Sequence, residues 1–334
     1  MLFKYSYEIE ALARHLPDEE ALEFRWETPR QVVIRLFRKH PDGQKLADAS
    51  SALCVAETSE EPTNTEIASE LNAAVAGSLD GKWAMMKDVS PPTMEFVDSI
   101  LGDLQKLIRR TVSVFRWREG LAEGPHNPFQ KPQGFYSMDD GEWREVSLVR
   151  SIKIRFGIAT GPRTPPNEIC SEVVRLVDAA IEESLGHQLF REAWHERDTN
   201  PRSSLVLGVA AAEVGLKKLI GSLLPKASWL VDELQTPSLS KMIRKYLPTL
   251  PVRVQFTGKT ICPPKDLVTK LERAVEYRNK LVHAGKAPPH LMELEDMLRA
   301  VNDFLWICDL YEGYVWAGRH VSAETRMAWK EEVS

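Results

Sequence analysis

Two kinds of hydrophobic patterning divide the chain. In the first 160 residues, apolar and polar positions alternate in short runs. LEFRWE (22–27) and QVVIRLFRK (31–39) are rich in β-branched and aromatic residues and flank a Thr-Pro turn, which predicts a hairpin. HPDGQ (40–44) reads as a turn and ASSALCVAET (49–58) as a further strand. WREVSLVRSIKIRFGI (143–158) is the best strand candidate of this half, and EGLAEGPHNPFQKPQG (119–134) reads as a Gly/Pro-rich loop. Between these lie two helical patterns, at 65–79 and at 93–115. The second repeats apolar residues at Phe96, Ile100, Leu104, Leu107 and Ile108. An α+β domain over 1–160 follows.

ATGPRTPPNE (159–168) predicts a linker, because its prolines break any helix. Behind it the period becomes helical, and five helices are predicted. The first covers about 168–198. The second starts at Asn200-Pro201, a cap followed by Pro at the first helical position, and buries Leu205, Val209, Ala212, Leu216, Ile220 and Leu223 on one face. Short helices follow over 229–247. A fourth helix begins after Pro263-Pro264, points Leu267, Leu271, Val275 and Leu281 inward, and stops at Gly285. The last runs from 290 to about 316. Short connections predict an all-α bundle over 167–316, with 317–334 as a C-terminal tail.

Composition narrows the function classes. A net charge of −5 argues against broad, charge-driven wrapping of nucleic acid, but leaves room for a local basic site that holds one or two phosphates. No apolar run is long enough to cross a bilayer, and the N-terminus lacks a signal-peptide core, so a soluble cytoplasmic protein without membrane partners is expected. Cys54, Cys170, Cys262 and Cys308 are scattered and form no zinc-type pair. Neither HExxH nor a phosphate-binding glycine loop occurs, so no metal and no cofactor is expected.

The candidate chemistry lies at the end of the fourth helix. Arg-x-x-x-x-His occurs twice. Arg35 to His40 alternates like a strand and runs into a turn, so it reads as a chance match. Arg278 to His283 ends a strongly patterned helix, has Asn279 directly behind the arginine, and lies near Arg273, Lys280 and Lys286. Asn279 and His283 are four residues apart and share a helix face, whereas Arg278 and His283 lie about 140° apart around a straight helix. They converge only if the helix ends or bends, or if the arginine of one subunit meets the histidine of another across a two-fold axis. Histidine exchanges a proton near neutral pH, and arginine holds a phosphate by two parallel bonds. That set suffices to drive an RNA 2′-hydroxyl into its own phosphodiester. Taken alone, His283 reads as a helix-end cap and Arg278 as a partner of Glu272 or Glu276. Glu213 reads as an edge residue of its helix or as a carboxylate that orients Arg278, and His187 and His195 as solvent-facing or capping.

RNKLVH (278–283) resembles the R-N-x-x-x-H signature of the HEPN family, the higher eukaryotes and prokaryotes nucleotide-binding domain. LVLGVAAAEVGLKKLI (205–220) is similar to the second helix of such domains. The resemblance covers about 150 residues. It implies a five-helix bundle that dimerises and cleaves RNA without metal, leaving 2′,3′-cyclic phosphate ends, as a toxin or antiviral defence effector. Arg278, Asn279 and His283 would be catalytic, Glu213 supporting, and Lys280, Arg273 and Lys286 would bind substrate. A regulatory protein partner is compatible with such a role. The competing expectation is a bundle that only binds RNA or a nucleotide, or that serves as a scaffold within a defence system.

Overall fold

A computed structural model describes the chain except residues 18–19, 28–29, 42–45, 47–48, 63, 78–88, 123, 125–126, 138–142, 147–165, 228–237, 254–261 and 332–334. It contains an N-terminal antiparallel sheet followed by a mostly helical region. Contacts group the chain into two compact units, Met1–Arg116 with Asn127–Glu182, and Trp117–His126 with Glu183–Ser334.

The first unit is built on one sheet in the order β2-β3-β4-β1-β5-β6. The strands are β1 (Leu2–Ile9), β2 (Leu22–Trp26), β3 (Val32–Phe37), β4 (Ala52–Ser59), β5 (Phe129–Ser137) and β6 (Arg144–Val146). β2 and β3 form the hairpin that the Thr-Pro turn predicts. Side chains alternate across a pleated strand, so Phe3, Tyr5, Tyr7 and Ile9 of β1 share one buried face. Two helices follow β4, α1 (Thr65–Gly77) and α2 (Pro91–Arg118). α2 covers the aromatic face: Phe96 meets Phe3 edge-on at 6.0 Å, Phe115 meets Phe24 at 6.2 Å, and the Gln105 amide donates to the Tyr7 hydroxyl at 2.7 Å.

β5 lies inside the segment that composition assigns to a loop. Pro132 cannot donate to a ladder, and the β1–β5 register shifts between Ser6 and Glu8, where Lys131 takes a φ of 45°. This bulge lets a strand carry a proline. Of the candidate strand 143–158 only β6 is described; the rest, like most of the linker 159–168, lies outside the described residues.

The predicted helix 168–198 is two helices, α3 (Pro166–Asp178) and α4 (Leu185–Glu196). Ala180 adopts a left-handed φ of 55° and Ser184 caps α4 by accepting from the His187 N–H. A left-handed residue ends a helix, and a hydroxyl then satisfies the next helix's first N–H groups. α3 packs in the first unit, against β2, whereas the linker position would start the helical domain with it.

In the second unit, α5 (Pro201–Leu223) packs against α4, α6 (Lys265–Ala284) and α7 (Leu291–Glu312). Asn200 caps α5 by accepting from the Ser203 N–H at 3.2 Å, with Pro201 behind it. The predicted stripe from Leu205 to Leu223 is buried throughout. α4 and α5 cross where both backbones are bare: a Cβ on Gly186 would come within 3.1 Å of the Gly215 Cα. The segment 317–334, predicted as a tail, contains α8 (Ala323–Glu331), and buried Asp303 fixes its start by accepting from the Ser322 N–H and hydroxyl and the Thr325 hydroxyl.

The core of this unit carries an unusual polar cluster. Asp309, 3% exposed, accepts from the Trp117 indole at 2.9 Å and pairs with the His187 Nε2 at 2.8 Å. A carboxylate only accepts, so the His187 Nε2 carries its proton. His187 is thus a core residue, not the solvent-facing or capping one that its position near a helix end predicts. The ring of His320 packs on Trp306 at 4.7 Å and its Nε2 meets the Arg118 carbonyl at 2.9 Å. Burial pushes the His320 imidazole down to about 4; the neighbouring Arg118 and His187 side chains add to this, against the pull of the Arg118 carbonyl and Asp309.

A neutral histidine in the folded state and an ordinary one in the unfolded state make stability fall with acid. The contribution is intact above the unfolded value of 6.5 and is lost as pH falls towards 4. By pH 5 the loss is on the order of 2 kcal/mol. Urea melts at pH 7 and pH 5 should therefore lose less stability in His320→Gln than in wild type; equal losses would count against a buried neutral imidazole.

Candidate functional site

α6 positions the motif. Its buried residues are Leu267, Val268, Leu271 and Ala274, all in its first half. Val275 and Leu281, predicted inward, are only half-buried, so the helix rises out of the core as it reaches the motif. It stays helical to Ala284 and is closed by Gly285, whose φ of 59° is left-handed and whose N–H donates to the Lys280 carbonyl. Only glycine adopts that conformation without strain, so the helix ends one residue after His283 is passed. α6 therefore runs as one uninterrupted helix through both Arg278 and His283.

Arg278 does not pair with Glu272 or Glu276. Its Nη2 donates to Glu213 Oε1 of α5 at 2.5 Å, across 65 residues of sequence. The pair is partly sheltered, with side-chain exposures of 26% and 39%. The Arg278 Nε is sealed from solvent and meets no acceptor among the described residues. Glu272 instead holds Arg244 by two bonds, at 3.1 and 3.0 Å.

Asn279 and His283 are exposed on their shared face, and neither makes a side-chain hydrogen bond among the described residues. The three predicted substrate cations differ. Arg273 forms an ion pair with Glu293, which also accepts from the Tyr277 hydroxyl. Lys280 lies 3.5 Å from Glu276, one turn away. Lys286 is exposed and without an ion pair among the described residues. Three large apolar side chains also face water at this end: Val282 at 52%, Leu291 at 45% and Met292 at 85%.

The second Arg-x-x-x-x-His match lies elsewhere. Arg35 sits in β3 between Glu23 at 2.7 Å and Glu57 at 2.6 Å, a cross-strand bridge on the sheet. Among the described residues, no group of three or more His, Cys, Asp and Glu side chains is placed to hold a metal ion. His126, in the Gly/Pro-rich segment 119–134, lies outside the described residues.

No family model, curated protein or solved structure matches this chain. The site offers a guanidinium fixed at one end by a carboxylate, and an amide and an imidazole one helix face away. Around them are cations of unequal commitment and an apolar rim. A fixed guanidinium serves phosphate recognition, since its remaining N–H groups are held in a known plane. An exposed imidazole at a helix C-terminus serves proton transfer.

Proposed function

We propose that the helical unit is a metal-independent endoribonuclease of the HEPN type. In this reading α4 to α7 belong to the bundle, and the protein is a cytoplasmic toxin or antiviral defence effector. The observation that carries it is the Glu213–Arg278 pair. It joins the two helices on which the resemblance rests, and it supports the reading of Glu213 as the carboxylate that orients Arg278.

The chemistry follows from the donors. Histidine takes the proton of the RNA 2′-hydroxyl, whose oxygen attacks the adjacent phosphorus. The P–O5′ bond breaks, the departing 5′-oxygen receives through water the proton that the imidazole took, and Arg278 steadies the charge that gathers on phosphorus. The products are a 2′,3′-cyclic phosphate and a free 5′-hydroxyl. Asn279 orients substrate or imidazole, and Lys280, Arg273 and Lys286 meet the strand around the reacting phosphate.

Arg278 and His283 diverge around one straight helix, so a complete site needs a second copy. Val282, Leu291 and Met292 supply the apolar surface that such a copy would cover. The same divergence favours the alternative, a module that binds RNA or a nucleotide without turnover, if the chain stays monomeric.

The direct test is incubation of RNA with the purified protein in EDTA. Wild type should cut and leave cyclic phosphate ends. His283→Ala should cut at least 1,000-fold more slowly, on the order expected for loss of a proton-transfer group and of what it positions, with an unchanged helical spectrum. Retained cutting in that variant would overturn the assignment.

A further inference from the structure

We infer that Lys217, on α5, is a phosphate-binding residue of this site and grips the RNA strand on the side of Arg278 away from its own chain's His283. The inference rests on the nuclease reading for the identity of the ligand, and on the following geometry for the residue.

Lys217 is half-buried and lies four residues after Glu213 on α5, so both occupy one helix face. Side chains on a helix lean towards its N-terminus. A lysine at this position is therefore rooted one turn from Glu213 and, through it, from Arg278. A glutamate four residues before a lysine is the favoured order for an ion pair, yet none forms here among the described residues. Glu213 is already committed to Arg278 at 2.5 Å. The result is two cations against one carboxylate on a half-sheltered face.

Of the other cations around the motif, Lys286 is unpaired but fully in solvent among the described residues, and three are matched. Arg273 has Glu293, Lys280 has Glu276, and Lys218, next to Lys217, is held by Glu312. Lys217 has no carboxylate partner among the described residues. An unmatched ammonium beside a phosphate-reading arginine gains most from an entering anion.

The helix directions set the side. Gly208 and Gly215 of α5 face Leu298 and Leu305 of α7, so α5 and α7 run parallel. Tyr277 reaches Glu293 and Lys270 reaches Asp296, so α6 and α7 run antiparallel. α5 therefore runs against α6. From the Glu213–Arg278 contact, His283 lies about 7.5 Å along the axis one way and Lys217 about 6 Å the other. Lys217 therefore lies on the side of Arg278 away from its own chain's His283.

The test uses the full chain with two probes. A short single-stranded RNA reports cleavage, and its 2′-O-methyl analogue, which lacks the nucleophile, reports binding by fluorescence anisotropy. Lys217→Ala should raise KM and the analogue's Kd about tenfold, leave kcat within twofold, and lower the slope of log affinity against log salt by about 0.7. Lys217→Arg should restore all three. Lys106→Ala, a surface charge change on α2, is the control for bulk charge and should change none. If wild type cleaves but Lys217→Ala keeps the wild-type Kd and salt slope, the role of Lys217 is refuted and the nuclease reading stands. If wild type binds the analogue without cutting RNA and Lys217→Ala weakens that binding, the nuclease reading fails and Lys217 stands. If wild type neither binds nor cuts, both fall. Lys217→Gln repeats the measurement with most of the side-chain volume kept, should the alanine variant fail to fold.

Discussion

A mixture of two inactive proteins, Arg278→Ala and His283→Ala, is expected to recover about a quarter of wild-type RNA cleavage. α6 is helical through Ala284, and its left-handed cap at Gly285 comes only after His283. Five residues of straight helix put the two side chains about 140° apart. One chain therefore presents its arginine beside Glu213 and its histidine elsewhere. In a two-fold dimer each arginine can face the partner's histidine. A mixed dimer then has one cleft with both groups and one with neither. Random exchange makes half of all dimers mixed, and half of their clefts complete, hence about one quarter. Each variant alone should fall by at least about 1,000-fold, so the recovery is large against its background. Cleavage rates in the mixture, with subunit exchange followed by mass, decide it. Free exchange without recovery would mean that Arg278 and His283 do not act across a two-fold axis.

The second large effect concerns stability. Asp309→Ala should destabilise the helical unit by about 4 kcal/mol. The carboxylate is 3% exposed and is the partner of both the Trp117 indole and the His187 ring. Removing it leaves two buried N–H groups without an acceptor, each costing roughly 1–3 kcal/mol, together with a small cavity. For a unit of this size the midpoint should fall by roughly 10 °C. Asp309→Asn keeps one acceptor oxygen and should fall about half as far. Thermal melts followed by circular dichroism read both. A wild-type midpoint for Asp309→Ala would remove the cluster from the list of what holds this core.

How far the sequence carried depended on how local each signal was. The α5 stripe, its Asn200-Pro201 start and the Gly285 stop are local patterns, and each has its structural counterpart. β1 is equally legible in principle, since Phe3, Tyr5, Tyr7 and Ile9 alternate with Lys4, Ser6 and Glu8. β5 was hidden because a bulge can house a proline, and nothing in the composition announces a bulge. The break between α3 and α4 falls at Ala180, a residue that ordinarily favours helix; its left-handed backbone lets the Ala180 and Ile181 N–H groups donate to the Val177 and Leu176 carbonyls and close α3, which the residue type does not announce.

The site divides in the same way. Arg278, Asn279 and His283 stand together in sequence, and Glu213 could be placed on a half-exposed helix edge. Which carboxylate each arginine takes depends on helix packing, and only the structure pairs Arg278 with Glu213 and Arg273 with Glu293. His187 had no local sign of its burial because its partner is 122 residues away.

The chain passes between the two units at three points, after Arg116, after His126 and after Glu182. Trp117, the donor to Asp309, arrives on the excursion between the first two. A fragment that begins at the proline-rich segment, where a gene would most naturally be trimmed, therefore lacks the indole that its own core is built around. A severed helical half would carry the whole Arg278–His283 motif and still be missing a structural plug, so a minimal version needs residues 117–126 supplied as a graft.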